Sequence, residues 1–309
     1  MKSYLLKRLV MSVITLWAVV TITFMLMHSV PGNPFAKEGK MPKVVYENLQ
    51  KKYGLDKPLT TQYAIYMKNL LQGDFGQSMK SRVETVNDMI ARGFPVSARL
   101  GVQALLIAVI FGPALGALAA LYQNKVPDYI SMIVAIIGIS VPSFIMGTIF
   151  IQFIARNVAW LPIGGWGTWQ HTLLPSIAMS LMPLATMARL MRSSMLEVLG
   201  QDYIKTAKSK GITKSAVILK HAVRNAILPV VSILGTTISN LLVGSFVIEK
   251  IFGIPGLGMF FVRSISNRDY TLIMGTTIFY AGILISMLFL VDLAYMYIDP
   301  RIKLTKEGR

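Results

Sequence analysis

The 309 residues contain no cysteine, which excludes a disulfide framework, a thiolate metal site and a cysteine nucleophile. Charge is also scarce. Only 15% of residues are charged, where a soluble domain is nearer one-quarter. Acids are the scarcer sign, 14 against 31 basic residues, for a formal net charge of +17. Such a balance in a soluble protein would suggest a nucleic-acid partner. Here the basic residues lie between long uncharged runs and not in one block, which reads as cationic loops at a membrane surface and no nucleic acid. A Walker A phosphate loop is missing too: Gly39-Lys40, the one Gly-Lys pair, is followed by Met41. The three histidines, His28, His171 and His221, are far apart and have no metal-ligand spacing. Gly253-x-x-Gly256-x-Gly258 opens no βαβ unit and reads as a turn. No catalytic residue, metal or cofactor is expected.

What is abundant is apolar sequence, 54% of the chain. A bilayer core about 30 Å thick needs ~20 apolar residues of helix. The runs Leu9–Val30, Leu100–Tyr122, Tyr129–Ala155, Thr172–Ala188, Ala226–Ile248 and Tyr270–Ile298 qualify or nearly do. Thr172–Ala188 is the shortest and carries Pro175 and Pro183. Backbone groups in lipid need partners within their own segment, so each run predicts a helix. The expected class is an all-α integral membrane protein with six transmembrane helices. Lys2, Lys7 and Arg8 precede the first run, which is long for a signal-peptide core and has no A-x-A-like site after it, so a retained helix is predicted.

Basic residues set the orientation. The segment after the fourth run holds Arg189, Arg192, Lys205, Lys208, Lys210, Lys214, Lys220 and Arg224, and the tail holds Arg301, Lys303, Lys306 and Arg309. With six spans these fall on the side of the N-terminus, which the positive-inside rule makes cytoplasmic. The Pro31–Ser97 loop and Trp160–Trp169 then lie outside. Within that loop, Gln62–Leu71 has helical spacing between turn signals at Lys57-Pro58 and Gly73-Asp74, which predicts small amphipathic helices resting on the membrane or on the bundle. Gly112-x-x-x-Gly116 predicts close helix packing. Asp292 and Glu249, within or near spans, predict structural pairing and not a proton relay.

The stretch Gln201–Pro229 is too polar to span and too long for a turn. It reads as helix, glycine, helix. Tyr203, Ile204 and Ala207 share one less polar face, and Lys205, Lys208 and Ser209 lie elsewhere. Gly211 can close the first helix in the left-handed conformation, with Ile212 as the hydrophobic contact behind it. Thr213 is a candidate N-cap for the second helix. Pattern alone leaves two readings: a basic amphipathic segment on anionic lipid, or a docking element for a soluble partner. Ser140, Pro142 and Ser143 in the third run, and Thr237, Ser239 and Asn240 in the fifth, are polar or kinking positions that line a cavity or bond their own helices.

Thr206-Ala207-x-x-x-Gly211 resembles the "EAA" loop of ABC importer permeases. The longer string D-Y-I-K-T-A-K-S-K-G…H-A-V-R-N-A-I-L-P-V resembles the peptide-importer branch more closely. Val30-Pro31-Gly32-Asn33-Pro34, Tyr53-Gly54-Leu55-Asp56, Gly73-Asp74-Phe75-Gly76 and Asp299-Pro300-Arg301 agree in order. The resemblance runs over nearly the whole chain and is to the B-type permease subunit of oligopeptide and dipeptide importers. Three positions depart from it: Lys205 stands where the motif has Glu, Leu228-Pro229 lies further from Gly211 than in sugar importers, and Asn33 replaces the usual Asp.

The resemblance implies a type I importer fold divided as 1–30 (first helix), 31–98 (outer loop), 99–298 (five-helix core, coupling loop about 193–225) and 299–309 (tail). It implies a bacterial inner-membrane location and a pathway subunit that is not itself an enzyme. The implied partners are a second homologous permease subunit, two ATPase subunits and an extracytoplasmic peptide-binding protein. Docking of the ATPase is implied for Tyr203, Ile204, Thr206, Ala207, Lys208, Gly211 and Ile212, and pathway lining is expected of Ser140, Ser143, Ser239 and Asn240. A stand-alone secondary transporter or channel is the competing class. It has no need of a rigid docking hairpin and would be expected to carry a chain of acids through the membrane, which is missing here.

Overall fold

The computed structural model describes residues 2–30, 35, 42–81 and 83–298. The described residues are helices and turns, with one isolated antiparallel bridge between Gln77 and Thr85. The Pro31–Pro34 part of the first family string, Gly39-Lys40-Met41, Asp299-Pro300-Arg301 and the basic tail lie outside the described residues. Two compact units are formed, Met1–Val96 with Gly256–Arg309, and Ser97–Pro255. This grouping cuts across the expected segments, because the last helix belongs with the first.

In the first unit, α1 (Lys2–Ser29) and α14 (Tyr270–Ile298) carry the outer helices α2 (Lys43–Tyr53) and α3 (Leu59–Leu71). The expected outer helices exist, and they rest on the bundle. Tyr63, Tyr66, Met67 and Leu70 of α3 pack on Val20 and Phe24 of α1 and on Met274 and Ile278 of α14. The family strings here prove to be turn chemistry. Gly54 closes α2 at φ 66°. Gly73 and Gly76 are also left-handed, and Asp74 Oδ1 accepts from the Gly76 amide at 2.8 Å. Asp269 is buried and caps α14: it accepts from the Leu272 amide at 3.1 Å, and also from Ser78 and the Met79 amide. A short helix α13 (Leu257–Asn267) precedes it. Gly253 is a left-handed turn residue, as expected, whereas Gly258 lies inside α13.

The second unit is built around α7 (Gln170–Leu199). This helix is continuous through Pro175 and Pro183 and extends eleven residues beyond the expected Ala188 (199 against 188). α4 (Val86–Leu121) contributes its later turns to this unit. The glycine prediction holds: a Cβ at Gly116 would stand 2.2 Å from the Ala188 carbonyl oxygen, and one at Gly112 2.8 Å from that of Leu184. Only a residue without a side chain lets α4 approach α7 this closely.

One predicted span is corrected. Tyr129–Ala155 is not a single helix but α5 (Val126–Ser140) and α6 (Ser143–Phe150, continued by a π-helical turn to Ala155), bent by 109°. Pro142 has no amide hydrogen to continue the ladder, and it forces Val141 into extended backbone at φ −97°, ψ 119°. The fifth span is likewise α11 (Leu228–Val243) followed, after Gly244 at φ 79°, by α12 (Phe246–Ile251). Among the described residues, five helical stretches are long and apolar enough to cross a membrane, Leu228–Ile251 counted as one, and the bent pair passes the same test when taken together.

Candidate functional site

The helix–glycine–helix reading of 201–229 is matched in its first half. α8 runs Asp202–Ser209, and Gly211 follows at φ 73°. The Gly211 amide donates to the Lys208 carbonyl at 3.0 Å and the Ile212 amide to Ala207 at 3.4 Å. This pair of bonds is the Schellman closure, available because glycine takes positive φ without a Cβ penalty. Nothing lies within 4 Å of a Cβ built on Gly211, so the backbone angle, not space, demands glycine.

The second helix is present, helical over 214–226, but its expected cap is not made. Thr213 stands at the N-cap position of α9 (Lys214–Ala216), but its side chain makes no cap hydrogen bond. The chain then runs through a π-helical stretch, Val217–Val223, into α10 (Arg224–Ala226). Ile212 is 36% exposed and is absent from the hydrophobic cluster beneath, so the expected contact behind the glycine is not made there.

Burial sorts the predicted docking residues into two sets. Ile204 and Ala207 are buried in one core with Val217, Ala222, Met191 and Met195. Tyr203, Thr206, Lys208, Gly211 and Ile212 face solvent. The Tyr203 hydroxyl accepts from Asn225 Nδ2 at 2.9 Å, tying the two arms together, and Thr206 donates to the Asp202 carbonyl at 3.0 Å. At Lys205, the position where the motif has Glu, the side chain pairs locally with Asp202 at 2.9 Å, both well exposed.

A second candidate place lies at the α5–α6 break. A cavity of about 650 Å³ opens between the break, α7 and α11. Ser140, Ser143 and Asn240 line it. Ser239 does not: it is buried and donates to its own helix at the Gly235 carbonyl, 3.0 Å away. One residue of helix turns the side chain by about 100°, which separates these neighbours. Thr186 and Thr236 also line the cavity and were missed by sequence reading, because a lone threonine in an apolar helix carries no signal of its direction.

The chain matches the family model "Binding-protein-dependent transport system inner membrane component" over residues 112–304, and that family's N-terminal model over residues 1–101. The chain belongs to this family. It is 51% identical over 308 residues to the dipeptide transport system permease protein of Bacillus subtilis, with 100% of both chains covered. It is 43% identical to the oligopeptide transport system permease protein of Haemophilus influenzae, covering 98% of this chain and 100% of that one. Against an inward-facing structure of the MetNI methionine ABC transporter the TM-score is 0.52 at 15% identity, covering 70% of this chain and 97% of that one. That likeness establishes the importer permease fold. This inner membrane component is thus a multi-pass membrane protein.

The acids of this permease within or near spans have partners. Asp128, 3% exposed, takes both Nε and Nη2 of Arg192, at 2.6 and 2.8 Å, a bidentate clamp between the start of α5 and α7. Sequence reading had counted Arg192 only as a basic inner-loop residue. Glu249 accepts from Ser97 Oγ at 2.6 Å, and Asp292 pairs with Arg8. Trp160 and Trp169 are exposed, with ring centroids 6.0 Å apart.

Proposed function

We propose that this chain is a permease subunit of a peptide ABC importer and supplies half of the path for dipeptides or oligopeptides. Full-length likeness to dipeptide and oligopeptide transport permeases carries this reading. A second homologous permease completes the path, two ATPase subunits dock on the cytoplasmic hairpins, and an extracytoplasmic binding protein delivers peptide. ATP hydrolysis belongs to the ATPase subunits. With the bent α5–α6 pair taken as one span, both termini and the hairpin are cytoplasmic, which agrees with their basic charge.

The hairpin's geometry supports a mechanical role. Its exposed side, with Tyr203, Thr206, Lys208, Gly211 and Ile212, meets the ATPase. Ile204 and Ala207 hold it from beneath to Met191 and Met195, near the inner end of α7. Close-packed interiors compress little, so displacement of the exposed side moves α7 instead of being absorbed locally. Nothing in the structure favours a stand-alone transporter: the acids named above engage separate partners and form no relay.

The test is uptake of labelled di- and tripeptides in cells lacking this chain. Uptake returns with the wild-type chain and fails when 201–229 is replaced by a Gly/Ser linker of equal length. Peptide movement by the purified chain alone, without ATP, overturns the reading.

A further inference from the structure

The cavity at the α5–α6 break has a chemical character of its own. None of the residues lining it is ionisable. The nearest cation along α7 is Arg189, one turn beyond Thr186 and exposed. The polar side chains that do line the cavity divide cleanly. Thr186 donates to the Met182 carbonyl at 3.0 Å, and Thr236 and Thr237 donate to that of Ile233 at 3.0 and 2.8 Å. Ser245 is engaged as the N-cap of α12. Ser140, Ser143 and Asn240 make no such side-chain hydrogen bond among the described residues, and Asn240 is exposed.

Three neutral groups are therefore left facing the space, and their chemistry is specific. An asparagine amide offers two N–H donors and a carbonyl acceptor, the same complement as a peptide unit, and a serine hydroxyl both gives and accepts. The space is lined in part by polar side chains and is large enough to hold several waters. A charged side chain can then pass with its hydration, without a fixed counter-ion to trap it or a like charge to repel it.

We infer that Asn240, with Ser140 and Ser143, forms a neutral subsite that takes peptides by their backbone and is indifferent to side-chain charge. This rests on the peptide-importer reading above. Discrimination by charge then has to occur elsewhere in the importer.

The experiment uses the complete importer in proteoliposomes and three tripeptides, Ala-Ala-Ala, Ala-Lys-Ala and Ala-Glu-Ala, with rates normalised to binding-protein occupancy. Asn240→Leu lowers all three rates alike, by about two- to tenfold, the worth of one neutral hydrogen bond. Asn240→Asp changes the Lys-to-Glu rate ratio by at least about threefold. Ser140→Asp is the second position, used if the Asn240→Asp importer fails to assemble, and it shifts the ratio likewise. Unchanged rates in Asn240→Leu, a loss confined to one peptide, or unchanged ratios in the Asp variants overturn the subsite. A wild-type importer that moves neither these tripeptides nor the dipeptide Ala-Ala overturns the peptide reading itself, which separates the two failures.

Discussion

The segment around Gly54 and the hairpin around Gly211 use the same device and leave it in different hands. Both close a helix on a left-handed glycine, at φ 66° and 73°. Both make the same two backbone bonds: Leu55 to Gln50 at 2.9 Å with Gly54 to Lys51 at 3.2 Å, and Ile212 to Ala207 at 3.4 Å with Gly211 to Lys208 at 3.0 Å. The residue after the glycine is where they part. Leu55 packs with Phe35, Met79 and Tyr270, whereas Ile212 is left 36% exposed. The Gly54 turn is finished within its own chain. The hairpin has a hydrogen-bonded turn and an apolar tip that its own fold leaves exposed, which suits a partner subunit.

The comparison can be broken most severely from below the hairpin. Ile204→Asp buries a charge in a core with no counter-ion, at a cost of about 3 kcal/mol or more. The chain should still insert, but ATPase subunits should no longer co-purify with it. Wild-type retention would show that the hairpin does not depend on its core.

Next come the glycines. Valine at either one strains the backbone by about 1–3 kcal/mol. Gly211→Val should abolish peptide uptake and reduce ATPase retention. Gly54→Val should lower the melting temperature in detergent while retaining the ATPase subunits. Equal effects on ATPase retention would erase the distinction between the two turns.

The residues behind the glycines give a finer contrast. Leu55→Ser should destabilise the chain by about 1 kcal/mol through lost burial, read as thermal stability. Ile212→Ser should leave stability unchanged and weaken ATPase retention, so a stability loss there would mean that Ile212 serves its own fold. Smallest of all is Thr213→Ala. A capping threonine is worth about 1 kcal/mol, but this one makes no cap bond, so a change within about 0.5 kcal/mol is expected in thermal unfolding.

Much of this was legible because the bilayer leaves few choices. An apolar run of sufficient length must be helical, so the spans could be read from Leu9 to Ile298. Gly211 was legible because positive φ is a local demand. Thr213 was misread as a working cap: it stands at the N-cap position of α9 with φ −57° and ψ 144°, yet its hydroxyl takes no backbone amide. The third span was read as one run with Pro142 as a kinking position, and the size of its break could not be read, because α7, continuous through two prolines, shows that a proline in a span need not break it. The outcome depends on what packs around the freed backbone groups.

What the sequence by itself determined is therefore everything local or forced by solvent: membrane class, the approximate spans, the glycine closure and the family. Tertiary structure alone decided directions. It turned Asn240 to the cavity and Ser239 to its own helix, put Ile204 under the hairpin and Ile212 outside it, brought Arg192 onto Asp128, and bent α5 from α6. The physical reason is that these depend on neighbours distant along the chain. Hydropathy says that a residue lies in a helix in lipid, but not which side of that helix another helix will cover.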